Sequence, residues 1–453
     1  MKKGIYDVVV IGSGMGGMCA SSLLAHAGYK TLLVEKFNRL GGRFSSDEFI
    51  GYKLPTGAVG IEVGGVVQSV FKEVGAKFEV TPVPHLNYWI EGTFYDIPGK
   101  GGVRKLLDIL AKTEAPHAKI LGRMAKEIAA EKISGFFKQG VKEQAGEGMS
   151  FRDWLLQYTD SDRVLAVFQA IISAMQMVNS WELEASEFFR SVSRDVGGGY
   201  RNYGIATRGN IALVEALADV VRANGDVWTY TQAKHIKVED GVVKGVVIDK
   251  AGEEIEIDSQ VVICNGGTGE TVKLVGEQNF KPEYVKEVKR KLRPVPGILL
   301  YLVSDRPLID VPGIALIVGT RRVNFCVPIT NTCPKVAPPG KHLTYVTGNP
   351  ESCLEPFNCE EEIKLFIEDL KVFMPDYEKY ADILRVDVRN YNHEWPFART
   401  WPGKWDMPQE TPIKNLYNVG DTVKPPSGPT GLVPCTQSAK NVADMIKKQV
   451  KPR

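Results

Sequence analysis

The sequence predicts an α/β chain built around a parallel sheet, and three observations lead there. First, Tyr6 to Ile11 is an apolar run broken only by Asp7, the pattern of a strand buried on both faces. Second, a glycine-rich turn follows, Gly12-Ser13-Gly14-Met15-Gly16-Gly17. It opens an Ala/Leu-rich helix from Met18 to Ala27, closed by Gly28. A second strand, Thr31 to Val34, ends at Glu35, completing a strand-turn-helix-strand unit. Third, the chain has 453 residues. That exceeds one ordinary core and points to two domains, interleaved along the sequence.

The middle of the chain alternates between helical and β-rich stretches. Gly101 to Arg194 reads as mostly helical, with Ser150 placed to cap a helix that begins at Phe151. Val164 to Val178 is the longest apolar candidate, interrupted by Gln169 and Gln176. It is too short to span a bilayer and reads as a buried helix. Gly209 to Asn224 is an amphipathic helix with Leu213, Ala216, Leu217 and Val220 on one face. Short strands follow at Asp226 to Tyr230 and His235 to Val238. A hairpin turn at Glu239-Asp240-Gly241 leads into Val242 to Ile248. Gln260 to Cys264 is another buried strand. Gly297 to Val303, Ala315 to Val318, Val323 to Val327 and Leu343 to Thr347 form a β-rich block. Glu360 to Phe373 is a helix, Leu416 to Val419 a strand and Thr436 to Gln449 the final helix.

Composition is that of a globular protein, 43% hydrophobic and 24% charged, with a net charge of only +2. The balanced, scattered charge argues against a nucleic-acid partner. The seven cysteines match no zinc spacing, so free thiols in a cytoplasmic chain are the expectation. The Lys2-Lys3 start resembles a signal peptide only superficially, because the apolar stretch after it is cut by glycines at dinucleotide-binding spacing.

Gly12, Gly14 and Gly17 have the spacing G-x-G-x-x-G between a strand and a helix. The first permits the tight turn, the second lets backbone approach a pyrophosphate, and the third lets helix pack on strand. Freed N–H groups and the helix dipole then favour a diphosphate. Glu35 is placed to accept hydrogen bonds from a ribose diol, and its charge disfavours a 2′-phosphate. Two further segments extend the pattern. Gly41-Gly42-Arg43 allows close backbone approach and offers a guanidinium to a phosphate. Gly420-Asp421 ends a strand near the C-terminus, and the helix starting after Gly431 could stabilise negative charge on a reduced cofactor.

Together, Gly12 to Gly17, Glu35, Gly41-Gly42-Arg43 and Gly420-Asp421 resemble the flavin-containing amine oxidase and phytoene desaturase superfamily. Tyr203 to Val246 is similar as well. The resemblance implies FAD and a Rossmann-like FAD-binding domain with a discontinuous, inserted α+β substrate domain. The implied boundaries are 1–85, 200–290 and 396–453 for FAD, and 86–199 and 291–395 for a substrate domain with a helical lid. It implies a cofactor set of Gly12, Gly14, Met15, Gly16, Gly17, Glu35, Lys36, Gly42, Arg43, Ala233, Gly420, Asp421, Gly431 and Leu432. Ala233 stands where a Val is more usual, contacting adenine through its backbone.

Flavin supplies hydride chemistry itself, so no nucleophile or metal site is required, and none is found. Amine oxidases of the family commonly carry a Lys near flavin N5. Lys291 is the nearest candidate, but its surroundings match poorly. Pro294-Val295-Pro296-Gly297 looks more like the desaturase and isomerase branch. The expectation is hydride transfer between a C–C bond of a largely apolar or cyclic substrate and flavin N5, with an unidentified electron acceptor. An amine oxidase, a redox-neutral isomerase using reduced FAD and a non-enzymatic flavoprotein stay open. His393, Glu394 and Trp395 precede the Gly-Asp motif and are the catalytic candidates. Trp401, Trp405 and Tyr417 could wall the cavity, although core packing explains them as well. Homo-oligomerisation and peripheral membrane contact are left open, and no basic amphipathic helix stands out.

Overall fold

The computed structural model of the chain describes residues 3–83, 85–98, 148–193, 202–399, 401, 407–423 and 431–453, with isolated positions between 109 and 127. Arg194, Trp405 and most of residues 101–147 lie outside the described residues.

The N-terminal unit is β1 (Lys3–Ile11), α1 (Met15–His26) and β2 (Thr31–Val34). Next come β3 (His85–Ile90), β4 (Thr93–Pro98), α2 (Phe151–Leu156), α3 (Asp162–Gln176), α4 (Ala185–Ser193) and α5 (Asn210–Ala223). Four strands follow: β5 (Gly225–Trp228), β6 (Thr231–Glu239), β7 (Val242–Lys250) and β8 (Glu253–Cys264). Then come α6 (Pro282–Lys291), β9 (Gly297–Ser304), β10 (Ala315–Val318), β11 (Val323–Pro328) and β12 (His342–Gly348). The chain finishes with α7 (Cys359–Phe373), β13 (Ala381–Arg389), β14 (Leu416–Asn418) and α8 (Leu432–Gln449).

Two seven-stranded sheets organise these elements. The first runs β5-β2-β1-β8-β7-β6, with β14 also on β8. Strands β5, β2, β1, β8 and β14 are mutually parallel where they pair, and β6-β7-β8 is antiparallel. The long strand β8 serves both: Glu253 to Asp258 pair with β7, while Val262 to Cys264 pair with β14. Val8, Val9 and Val10 are fully buried, as a central parallel strand requires. The expected hairpin turn is present, with Asp240 and Gly241 at φ 50° and 71°, the geometry of a two-residue turn that matches strand twist.

The second sheet runs β13-β9-β12-β11-β10-β3-β4. The four β-rich segments expected between Gly297 and Thr347 all lie in it. Strands β3, β4 and β13 were not expected. In β13 every residue between its ends is exposed or half-buried, and Asp382, Arg385 and Asp387 interrupt any apolar run. The Val164 to Val178 stretch is indeed a helix, α3, with Val164, Val167, Phe168 and Ile172 buried. No helix among the described residues is long and apolar enough to cross a membrane.

A short segment after the hairpin Ser46–Phe49/Tyr52–Pro55 locks the two sheets together. Three neighbouring strands of the second sheet each reach one of its consecutive carbonyls. The Tyr301 hydroxyl, from β9, donates to the Pro55 carbonyl at 2.7 Å. Arg389 Nη2, from β13, donates to Thr56 O at 2.6 Å, and the Tyr345 hydroxyl, from β12, donates to Gly57 O at 3.1 Å. All three side chains are buried. On its other side, Thr56 Oγ1 donates to Gly42 O and accepts from Ser45 N–H.

Breaking one finger of this clasp leaves a buried carbonyl without a donor. Tyr301→Phe is expected to lower the unfolding free energy by about 1–2 kcal/mol, measured by urea titration. No change in midpoint would show that the clasp adds nothing to stability.

Candidate cofactor and substrate site

A cavity opens where the C-terminal ends of β1, β2 and β8 meet one face of the second sheet. It is lined at one end by Gly12 to Gly16, Glu35 and Ala233, and at the other by Phe325, Tyr345 and Met177. A crevice at the carboxyl ends of parallel strands is where ligands bind in open α/β sheets.

The glycine turn is shaped by close backbone approach. Gly12 has φ +92°. A Cβ on Gly17 would lie 2.1 Å from Gly12 O, and one on Gly16 would lie 2.8 Å from Gly420 N. Only glycine permits either packing. Helix α1 starts here with no side-chain cap and no acidic residue in its first turn. Its free N–H groups and positive dipole end therefore suit a diphosphate.

Glu35 is buried and already oriented. Its Oε2 accepts from the Ser13 N–H at 2.9 Å and the Ser13 hydroxyl at 2.6 Å, and its Oε1 accepts from Phe37 N–H at 3.1 Å. Ser13 Oγ also accepts from Gly41 N–H. One serine thus ties the glycine turn, the acidic residue and the Gly41-Gly42-Arg43 turn together. These features fit the adenosine diphosphate half of FAD.

Arg43 and Asp421, 378 positions apart in sequence, form a salt bridge at 2.8 Å. Asp421 also accepts from the Arg399 N–H at 2.8 Å, and Arg43 Nη1 donates to Phe397 O at 3.0 Å. Helix α8 begins at the cavity with Gly431 as its N-cap residue and no side-chain cap. Its positive end suits a site that must carry extra negative charge. Every residue in the expected cofactor set except Gly17 lines the cavity directly, and Gly17 packs against the turn.

The expected catalytic segment is held against the residues that follow Glu35. Glu394 pairs with Lys36, Trp395 packs edge-on against Phe37 at 4.7 Å, and Arg39 lies over the Trp395 ring. His393 accepts from the Trp395 N–H through Nδ1, and burial followed by Arg389 pushes its pKa below the ordinary value. Glu394 and Trp395 therefore line the cavity beside Lys36 and Phe37, and His393 is tied to Trp395 without lining it. They are close in sequence to Gly420-Asp421, but the chain passes the dinucleotide strand first. Trp401 lines the cavity, while Tyr417 is buried in the core and donates to Gln449. Lys291 lies on α6, paired with Glu287, and does not line the cavity. Sequence reasoning missed Tyr345, Asn349 and Arg389, which line the other end. No motif marks them, because only the pairing of β12, β9 and β13 brings them together.

Burial works against a charge on Asp421, but Arg43 and then Arg399 outweigh it and hold the carboxyl below its ordinary value. A carboxylate with a depressed folded pKa adds stability that is present above its unfolded value, about 4, and lost as pH falls through the folded value. Arg43→Met should therefore cost the apoprotein about 2 kcal/mol near neutral pH, with the gap to wild type closing as the medium is acidified below about pH 4. Urea titrations across pH test this. A gap that widens on acidification contradicts the pairing.

The comparisons agree with this geometry. The sequence matches the family described as flavin containing amine oxidoreductase along residues 15–446. It is 24% identical to the 15-cis-phytoene desaturase of Capsicum annuum over 446 residues, covering 92% of this chain and 74% of that one. The crystal structure of an oxidoreductase from Methanosarcina mazei superposes with a TM-score of 0.77 at 25% identity, covering 97% of this chain and 100% of the other. A putrescine oxidase bound to putrescine shares the fold, with a TM-score of 0.70 at 15% identity over 98% of this chain and 100% of its own. The chain belongs to the flavin-containing amine oxidoreductase family and is an FAD-dependent oxidoreductase.

Proposed function

We propose that the enzyme removes two hydrogens from adjacent carbons of a largely apolar substrate, as a desaturase or dehydrogenase does. The bound flavin supplies the hydride acceptor. The observation that carries this reading is the side-chain chemistry of the cavity. Beyond the dinucleotide end its walls include Val59, Met175, Met177, Phe325, Phe397 and Leu432. Among the described lining residues the one lysine is Lys36, held by Glu394 beside Glu35. Among the described lining residues, the lysine commonly found near N5 in amine oxidases of the family therefore has no counterpart. The similarity to a phytoene desaturase along nearly the whole chain supports the same branch.

The roles of the chain's own residues follow. Gly12 to Gly17 and the start of α1 would hold the diphosphate, Glu35 the ribose diol and Ala233 the adenine. Arg43, Asp421, Gly431 and Leu432 would border the flavin half. His393, Glu394 and Trp395 would close the adenosine end rather than touch the reacting carbons. Apolar walls would exclude water from the transferred hydride.

Anaerobic titration of the FAD-loaded protein tests this, with alkanes, saturated and unsaturated polyprenoids, and amines. Bleaching of the oxidised flavin by an apolar chain, with a new double bond in the product, is expected. Bleaching by amines alone, with hydrogen peroxide released in air, would overturn it. Lys291→Met should leave flavin reduction and reoxidation within about twofold of wild type, read by stopped flow. A loss of tenfold or more would favour the amine-oxidase alternative.

A further inference from the structure

The second sheet brings to the cavity two buried polar side chains whose bonding capacity the protein does not use. Arg389 is 3% exposed and Asn349 is 1% exposed. Arg389 spends Nη2 on the Thr56 carbonyl, while its Nε and Nη1 have no partner. Asn349 has no partner for either Nδ2 or Oδ1. Buried polar groups are nearly always satisfied, so unmatched donors call for a missing partner. Both residues line the cavity.

The sheet explains why they act as one recess. Arg389 pairs with Gly297, and the next residue, Ile298, pairs with Gly348. Asn349 follows Gly348 and shares the cavity-facing side of its strand with Tyr345 and Thr347, by the two-residue period of a strand. Gly297 presents no side chain, and the Phe397 ring occupies that space: a Cβ there would lie 2.6 Å from it. The recess thus has an aromatic wall, a guanidinium and a primary amide.

Charge decides what fits. No carboxylate among the described residues bonds to Arg389. The nearby Asp387 is engaged by Arg385 at 2.6 and 2.8 Å. Arg43 adds a second positive charge close enough to disfavour that of Arg389. A buried cation without a counter-ion is costly, and a guanidinium with free N–H groups is matched best by a carboxylate.

We propose that Arg389 and Asn349 bind a carboxylate at one end of the substrate, so that the enzyme acts on an apolar chain carrying an acid head group rather than on a pure hydrocarbon. Arg389 and the Asn349 amide would donate to the carboxylate, and the apolar walls would take the chain. The inference rests on the reading that this cavity receives the substrate. An oxygen acceptor on the flavin itself would present similar chemistry, so the test separates the two sources.

The test uses oxidised, FAD-loaded protein without turnover, and reads the flavin spectrum during titration with decanoate and with decanol. Decanoate should bind at least about tenfold more tightly than decanol. Asn349→Leu, whose wild-type side chain bonds nothing in the protein, should weaken decanoate by about tenfold or more and leave decanol within about twofold; Arg389→Gln, which also gives up the bond to Thr56, should weaken decanoate by at least as much. Arg389→Lys, which keeps the charge, should fall between wild type and Arg389→Gln. Equal affinity for decanoate and decanol overturns the proposal. So does a variant that loses FAD affinity while its decanoate preference persists, because the donors would then serve the flavin. A protein that binds decanoate selectively but whose flavin no substrate bleaches keeps the acid recess and fails the desaturase reading. Bleaching by apolar chains without carboxylate preference does the reverse.

Discussion

The site depends on three consecutive carbonyls, those of Pro55, Thr56 and Gly57, held by Tyr301, Arg389 and Tyr345. These fingers come from three adjacent strands of the second sheet. The segment they grip belongs to the chain that left the first sheet after β2. Thr56 passes the constraint on, because its hydroxyl fixes Gly42 and Ser45. Arg43 then reaches Asp421 from that fixed turn. Two sheets with separate cores are thereby set in register around one cavity. Each bond alone is worth about 1 kcal/mol, but their geometric effect is shared, since moving any one finger displaces the same backbone.

The dinucleotide end was legible in the sequence because its physics is local. A buried strand, a turn that tolerates no Cβ and an uncapped helix lie within some twenty residues, and each leaves a residue-type signature. Glu35 was readable for the same reason. Gly420-Asp421 was readable only by resemblance, and the structure supplies the cause. The strand β14 joins β8 in parallel, so the strand end before Gly420 lies next to the glycine turn. Ser13, by contrast, drew no notice in the sequence, yet it links Glu35 to Gly41. A serine inside a glycine motif looks like filler until its neighbours in space are known.

The opposite end was illegible because it is a product of strand pairing. Strand β13 mixes charged and apolar residues and has no apolar run to mark it. Arg389 becomes a buried group only when Gly297 pairs with it. The packing of the His393-Glu394-Trp395 segment was illegible for a related reason. Its short sequence distance from Asp421 suggested the reacting end, but Trp395 packs on Phe37 and Arg39. Distance along the chain is a poor guide where a strand crossing intervenes. The bridge between Val295 and Ala398 anchors the segment only after it has passed the ribose side.

The charges along the cavity bear on the choice between reactions. Arg43, Arg389 and Arg399 all line it, and burial depresses the pKa of both Arg389 and Arg399, with Arg43 depressing each further. Lys36, Arg43, Arg190, Arg389 and Arg399 line the cavity together with Glu35, Glu187, Glu270, Glu394 and Asp421, so the formal charges balance and what matters is where each one sits. An ammonium placed beside Arg389 would meet like-charge repulsion that burial screens only weakly. An electron-rich or anionic chain would meet attraction. The start of α8 adds to the same sign at Gly431. With FAD bound, the start of α8 and the arginines would stabilise negative charge gained on reduction without rearrangement. The proposed apolar substrate with an acid head group therefore rests on two features, the apolar walls and the unmatched donors of Arg389 and Asn349.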